Sequence, residues 1–131
     1  MDSQARRFCQ LGALLLALAT ILGALGTHVL RPRLTPDHYE ALQTALHYQS
    51  VHSLGLLGLG LLFDRVPANT LRIAGWLLFA GIVLFSGSLY LILAGAPRIV
   101  GVLTPIGGLA LISAWCLAAL ALVPAIGEKT H

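Results

Sequence analysis

The sequence predicts an all-α, polytopic membrane protein with four transmembrane helices in one compact bundle. The chain is 57% hydrophobic and only 10% charged, whereas about a quarter of the residues in a soluble domain are charged. The few charges leave four charge-free runs, each at least as long as the roughly 20 residues that cross the hydrocarbon core. These runs are 8–27, 41–63, 73–97 and 99–127. Because the connections are short, we predict a single membrane domain over residues 1–131, with spans at 8–28, 41–63, 73–96 and 103–123.

The basic residues lie at the ends of these runs, where such residues set orientation and meet anionic headgroups. In a soluble protein, a net charge of +3 would suggest a nucleic-acid partner. Basic residues at span ends are explained by the membrane instead, so we expect no nucleic-acid partner. More basic residues lie on the side of the two termini than on the other side, which favours cytoplasmic termini. The first group is Arg6, Arg7, Arg65, Arg72 and Lys129, and the second is Arg31, Arg33 and Arg98.

The first span is built mainly of Leu, Ala, Ile and Gly. Small residues near its far end, Gly23, Ala24 and Gly26, allow a neighbouring helix to approach closely. Pro32 disfavours a helical conformation for the residue before it. We therefore expect the first span to end near Arg31.

The segment after the first connection has the signals of a helix start. Thr35 suits the N-cap, Pro36 suits the first helical position, and Asp37 is favourable at the positive end of the helix dipole. The following residues, 38–44, are too polar to be submerged. We predict a short amphipathic extension here that runs continuously into the second span.

The second span ends at Asp64 and Arg65, and a short turn around Pro67 leads to the third span. In the fourth run, Pro105 removes a helical hydrogen bond and its ring clashes with the preceding turn. We therefore expect a kink there, or a helix that begins at Pro105 with residues 99–104 as an interfacial or re-entrant stretch.

Polar side chains gather in one half of the bilayer, which is the outer half if the termini are cytoplasmic. At a rise of about 1.5 Å per residue, His52 falls near the middle of the membrane and the others lie toward the first and third connections. Polar groups within a span are costly, so they are kept for packing or for function. The candidate polar site comprises His28, Tyr48, His52, Ser86, Tyr90 and Thr104.

Helix periodicity divides these residues into faces. Tyr48 and His52 are four residues apart and share one face of the second span, and Ser86 and Tyr90 likewise share a face of the third. We predict that the first of these faces looks inward, toward the second.

Several roles compete for these side chains. They satisfy one another's hydrogen bonds and fix the packing of the bundle, or His52 and Tyr48 form a proton or small-solute path. Haem would need an axial pair such as His28 and His52, but His28 lies at the membrane edge, and we expect no cofactor. No ligand cluster typical of a metal site and no GxSxG motif occurs, so no catalytic residue and no metal are assigned.

The motifs resemble those of the YgdD/YwdK-type family of small bacterial membrane proteins, which has mitochondrial relatives in eukaryotes. They occur in family order from about residue 11 to residue 122: 23–28 (GALGTH), Tyr48-Gln49 with His52, 86–90 (SGSLY) and 104–108 (TPIGG). Where the family usually reads GA(F/L)GAHGL, this chain has Thr27 and Val29 but keeps His28. The resemblance implies a four-span inner-membrane protein and supplies no catalytic assignment.

We therefore expect a non-enzymatic structural or accessory protein of the bacterial inner (plasma) membrane, with both termini cytoplasmic. Its expected partners are the lipid bilayer and further protein copies, as a homo-oligomer or within a larger membrane complex. The alternative is a protein that binds or transports a small solute, protons or lipid at an outer-leaflet polar site around His52 and Tyr90.

Overall fold

The computed structural model describes residues 1–66 and 68–128, and side chains through residue 123 except at position 68. Four long helices dominate it: α1 (Ser3–Leu25), α2 (Pro36–Leu62), α3 (Ala68–Leu93) and α4 (Leu103–Glu128). The described residues contain no strand, so the predicted all-α class is confirmed. Pro67, at the predicted turn, and Lys129, counted among the basic residues, lie outside the described part.

Three stretches are long and apolar enough to cross a membrane, namely Ser3–Arg33, Asn69–Leu93 and Arg98–Val123. Helix α2 is more polar, but its 27 residues run beside α1 from end to end. A Cβ on Gly26 would lie 2.9 Å from the Leu42 side chain, one on Gly12 would lie 2.7 Å from the Ser53 carbonyl, and one on Gly60 would lie 2.9 Å from the Ala5 carbonyl. These contacts show that α2 runs antiparallel to α1 along the length of both helices. It therefore crosses the membrane together with the other three helices.

The start of α2 confirms the predicted cap. The Thr35 hydroxyl accepts a hydrogen bond from the His38 backbone N–H at 3.2 Å, with Pro36 in the first helical position. The helix then continues unbroken to Leu62, so the polar extension and the second span form one element.

The apolar core lies in the half of the bundle nearer the termini. The Phe8 side chain of α1 is fully buried, with its ring 5.9 Å from that of Phe63 and 5.4 Å from that of Trp76. Gly75 of α3 leaves room for the Phe8 ring, because a Cβ there would collide with it. Phe8 thus packs α1 against α3 and against the 3₁₀ turn Phe63–Arg65 that follows α2.

The connection between α3 and α4 places the start of the fourth helix at the predicted residue 103 rather than at Pro105. Gly95 has a φ of 102°, a left-handed conformation that glycine adopts easily at a helix end. Residues Arg98–Val102 then form a 3₁₀ turn, and α4 begins at Leu103, two residues before Pro105. A proline in the first helical turn costs little, because the N–H that it lacks would have no intrahelical partner there.

Candidate functional site

A buried glutamine joins three of the four helices. The Gln49 side chain of α2 is 2% exposed. Its amide nitrogen donates to the Leu15 carbonyl of α1 at 2.8 Å, and its amide oxygen accepts the Tyr90 hydroxyl of α3 at 2.5 Å. The candidate polar site predicted from the sequence did not include Gln49. Its spacing from Ala45 and Ser53, four residues on either side, was the available signal for an inward face.

Serine hydroxyls form further interhelical hydrogen bonds near this level. Ser86 of α3 is buried and donates to the Ala45 carbonyl of α2 at 2.7 Å. Ser88 is hydrogen-bonded to the Thr104 hydroxyl of α4 and also donates to its own helix at the Phe85 carbonyl, 2.9 Å away. The predicted polar residues of α3 and α4 therefore act as contacts between neighbouring helices.

The prediction that Tyr48 and His52 face Ser86 and Tyr90 is wrong. The inward face of α2 instead includes the buried residues Ala45, Gln49, Ser53 and Leu56. Tyr48 and His52 lie one residue, or about 100°, round the helix from Gln49 and Ser53. They point toward the junction of α2 with α3 and α4, where they meet two other aromatic residues.

Tyr48 and His52 line a cleft of about 190 Å³, which we call the aromatic cleft. The Tyr48 ring stacks on Phe85, with centroids 4.3 Å apart and planes 28° apart. The Trp115 indole N–H of α4 donates to His52 Nδ1 at 3.0 Å. The full lining is Tyr48, His52, Phe85, Gly108, Leu111, Ile112 and Trp115.

His28 belongs neither to the cleft nor to the hydrogen-bonded set. It is exposed on the π-helical turn Gly26–Leu30, at the level where Gly26 meets Leu42. His52 lies ten residues further along α2, roughly 15 Å deeper. Within the described part of the chain, no three His, Cys, Asp or Glu side chains gather as ligands of one metal ion.

A second polar region lies on the opposite side of α2, in a groove of about 350 Å³ against α1. We call it the α1/α2 polar groove. Its polar side chains follow helical spacing on α2, and its floor consists of small residues four apart on α1. The lining is Gln43, Leu46, His47 and Ser50 from α2, and Ala19, Gly23 and Thr27 from α1. The sequence prediction missed this groove, although both spacings are visible in the sequence.

Comparison with known proteins places the chain among membrane proteins. Residues 22–108 match the family described as "Protein of unknown function (DUF423)". The UPF0382 membrane protein YwdK of Bacillus subtilis is 40% identical over 117 residues, which cover 88% of this chain and 95% of the relative. A UPF0382 membrane protein of Staphylococcus epidermidis is 43% identical over 114 residues, 87% of this chain and 93% of the relative.

The UPF0382 inner membrane protein YgdD of Escherichia coli is 38% identical over 96 residues, 73% of each chain. No solved structure matches. The resemblance read from the motifs is thus confirmed, and with its apolar helices the protein is an integral membrane protein. The chain belongs to the DUF423 family of membrane proteins.

Proposed function

We propose that this protein is a non-enzymatic structural or accessory component of the bacterial inner membrane that assembles as a homo-oligomer through the α1/α2 polar groove. One observation carries the proposal. Three polar side chains of α2, at positions 43, 47 and 50, border an open groove and make no hydrogen bond to the described residues. The name of the Escherichia coli relative supports the inner membrane as the location.

Depth makes these polar side chains significant. Measured from Thr44, the last residue of the polar extension, His47 and Ser50 lie roughly 5 and 9 Å further along the helix, inside the predicted second span, whereas Gln43 lies at its edge. Lipid tails offer no hydrogen bonds, so polar groups that face them are costly. Protein that covers the groove would supply the missing partners.

The chemistry of the groove favours a second copy of the same chain as the cover. The side chains of Gln43, His47 and Ser50 each contain a donor and an acceptor and carry no fixed charge. Under two-fold symmetry each group therefore meets a suitable partner in its own copy or its neighbours.

The floor of the groove also suits helix association. Ala19, Gly23 and Thr27 are four residues apart, the small-xxx-small spacing that lets membrane helices approach closely. A Cβ added to Gly23 would meet nothing within 4 Å. The partner's side chains would enter this open space.

The proposal that the protein is non-enzymatic rests on the hydrogen bonds that the buried polar groups make. Gln49, Ser86, Ser88 and Tyr90 are all engaged in hydrogen bonds within the bundle. They serve to hold helices together, as interhelical polar contacts commonly do.

Crosslinking in native membranes tests the assembly. Ser50→Cys and Leu109→Cys are made separately in a chain in which Cys9 and Cys116 are replaced by Ala, and a short bismaleimide is added. Leu109 is the matched control, because it is 66% exposed on α4 at a similar depth. We expect a crosslinked dimer with Ser50→Cys and monomer with Leu109→Cys. Equal crosslinking of both, or of neither, would contradict the proposal.

A groove-filling substitution separates assembly from folding. Gly23→Leu adds a side chain into open space of the monomer, so the monomer should fold and keep its helix content. We expect this change to abolish the Ser50→Cys crosslink. Undiminished crosslinking would place the interface elsewhere.

A further inference from the structure

The aromatic cleft lies on the α2/α4 side of the bundle, away from the α1/α2 polar groove, so an inference about it is independent of the proposed assembly. Its most informative contact is the hydrogen bond from the Trp115 indole to His52 Nδ1. A neutral imidazole that accepts at Nδ1 carries its proton at Nε2. His52 is thereby held as a hydrogen-bond donor.

The described residues provide no partner for that donor. Among the described residues, the His52 side chain is hydrogen-bonded to Trp115 alone, and its ring is partly exposed where it lines the cleft. The Tyr48 hydroxyl also makes no hydrogen bond to the described residues, and Tyr48 is 38% exposed. Both groups lie within the span of α2, where water does not supply partners.

The size and walls of the cleft restrict what fits. Its volume of about 190 Å³ is larger than the roughly 150 Å³ of an apolar protein cavity that holds one benzene molecule, so a single substituted ring fits. Three aromatic side chains present flat surfaces: Tyr48, Phe85 and Trp115. No charged side chain lines the cleft in the part of the chain that the structure describes. A neutral, flat molecule with hydrogen-bond acceptors is complementary to these features.

A second hollow lies on the other side of Trp115, nearer the termini. It has a volume of about 340 Å³, is almost wholly apolar, and shares Trp115 with the cleft. Its walls include Gly55 and Gly58 of α2 and Ala118 and Ala119 of α4. An aliphatic chain attached to the ring would find an apolar path there.

We propose that the aromatic cleft binds a quinone-type membrane lipid, that is, a neutral ring bearing carbonyl oxygens on an aliphatic tail. The His52 Nε2–H donates to one carbonyl oxygen, and the ring packs against the aromatic walls. The tail follows the apolar hollow beyond Trp115. Entry is sideways from the bilayer, past Ile112, which is 62% exposed at the rim.

Tryptophan fluorescence provides a direct test. The chain has two tryptophans, and Trp76→Phe leaves Trp115 on the cleft wall as the single reporter. The purified full chain in detergent is titrated with a decyl-substituted benzoquinone. We expect saturable quenching, and we expect His52→Phe to weaken binding about tenfold through loss of the hydrogen bond. The matched control, His38→Phe, should leave the Kd unchanged because His38 is exposed in the first turn of α2, outside the cleft.

A second variant keeps the test decisive if His52→Phe fails to fold. Gly108 lines the cleft, and a Cβ there would be in ordinary contact with the Phe85 ring at 3.8 Å, so Gly108→Leu fills the cleft without disrupting the backbone. We expect it to abolish saturable quenching, whereas Gly87→Leu, which projects into open space, should not.

Three outcomes would overturn the proposal. The first is quenching that rises linearly with quinone and is equal in all variants, which indicates collision in the micelle. The second is displacement of the quinone by decylbenzene as effective as that by the quinone itself, which indicates a site for an apolar chain only. The third is displacement by phospholipid at comparable concentration, which indicates an acyl-lipid site.

Discussion

The Tyr90 hydroxyl of α3 donates to the side-chain oxygen of Gln49 on α2 at 2.5 Å, while the nitrogen of the same amide donates to the Leu15 carbonyl of α1 at 2.8 Å. One buried side chain thus joins three helices at a depth where water does not compete. This accounts for a glutamine in the middle of a span, because both ends of its amide are satisfied by neighbouring helices.

Replacement of Gln49 by Leu should destabilise the bundle. The change keeps the approximate size of the side chain but leaves the Tyr90 hydroxyl and the Leu15 carbonyl without these partners. We expect a loss of about 1–2 kcal/mol, measured as the thermal midpoint of the helical circular dichroism signal in detergent. Gln10→Leu is the matched control, since Gln10 is exposed on α1. An equal midpoint for both variants would show that the three-helix contact is not stabilising.

Two buried serines should respond in opposite ways to the same substitution. Ser86 donates to the Ala45 carbonyl, so Ser86→Ala should lower stability by about 1 kcal/mol. The Ser53 hydroxyl is buried without a partner among the described residues, so Ser53→Ala should be neutral or stabilising. The same unfolding measurement compares the pair. A larger loss from Ser53→Ala than from Ser86→Ala would contradict these assignments.

The packing of α3 on α4 should depend on Gly107. A Cβ at this position would collide with the Phe85 backbone, and a backbone, unlike a flexible side chain, yields only if the two helices separate. We expect Gly107→Ala to destabilise the protein by about 1–3 kcal/mol. Gly87→Ala provides the control because its Cβ would meet open space. Equal thermal midpoints for the two variants would contradict the close approach of α3 to α4 at Gly107.

The proposed orientation can be tested by labelling single cysteines in the chain lacking Cys9 and Cys116. Asp37 follows the first connection, where it is exposed, and Glu128 ends α4. With cytoplasmic termini, an impermeant maleimide added to spheroplasts should label Asp37→Cys at once and Glu128→Cys only after permeabilisation. The opposite pattern would show that the termini lie on the outer side of the membrane. Labelling of both positions from one side would contradict the four-span topology.

The sequence was sufficient to predict the helices, because each depends on local signals. Charge-free runs located the spans, and Thr35 with Pro36 located the start of α2. The span predicted at 103–123 begins where α4 begins, at Leu103. The alternative start at Pro105 lies two residues too late, because a proline is tolerated inside the first helical turn.

The sequence did not determine which side of α2 faces inward. Polar residues lie all round this helix, so their periodicity does not select one face, and Tyr48 and His52 were as reasonable as Gln49 and Ser53. The choice depends on tertiary contacts, chiefly those of Gln49 with Leu15 and Tyr90. The α1/α2 polar groove was missed for a related reason, since it requires knowing that two particular faces are adjacent.

The number of copies in one particle is the most direct test of the proposed assembly. The protein can be extracted from membranes into lipid nanodiscs with a polymer and without detergent, and its copies counted by single-molecule photobleaching of a C-terminal fluorophore. We predict two or more bleaching steps for the natural sequence, and one step for a variant with Gln43, His47 and Ser50 all replaced by Leu. A single step for the natural sequence, or an unchanged count in the variant, would contradict assembly through the α1/α2 polar groove.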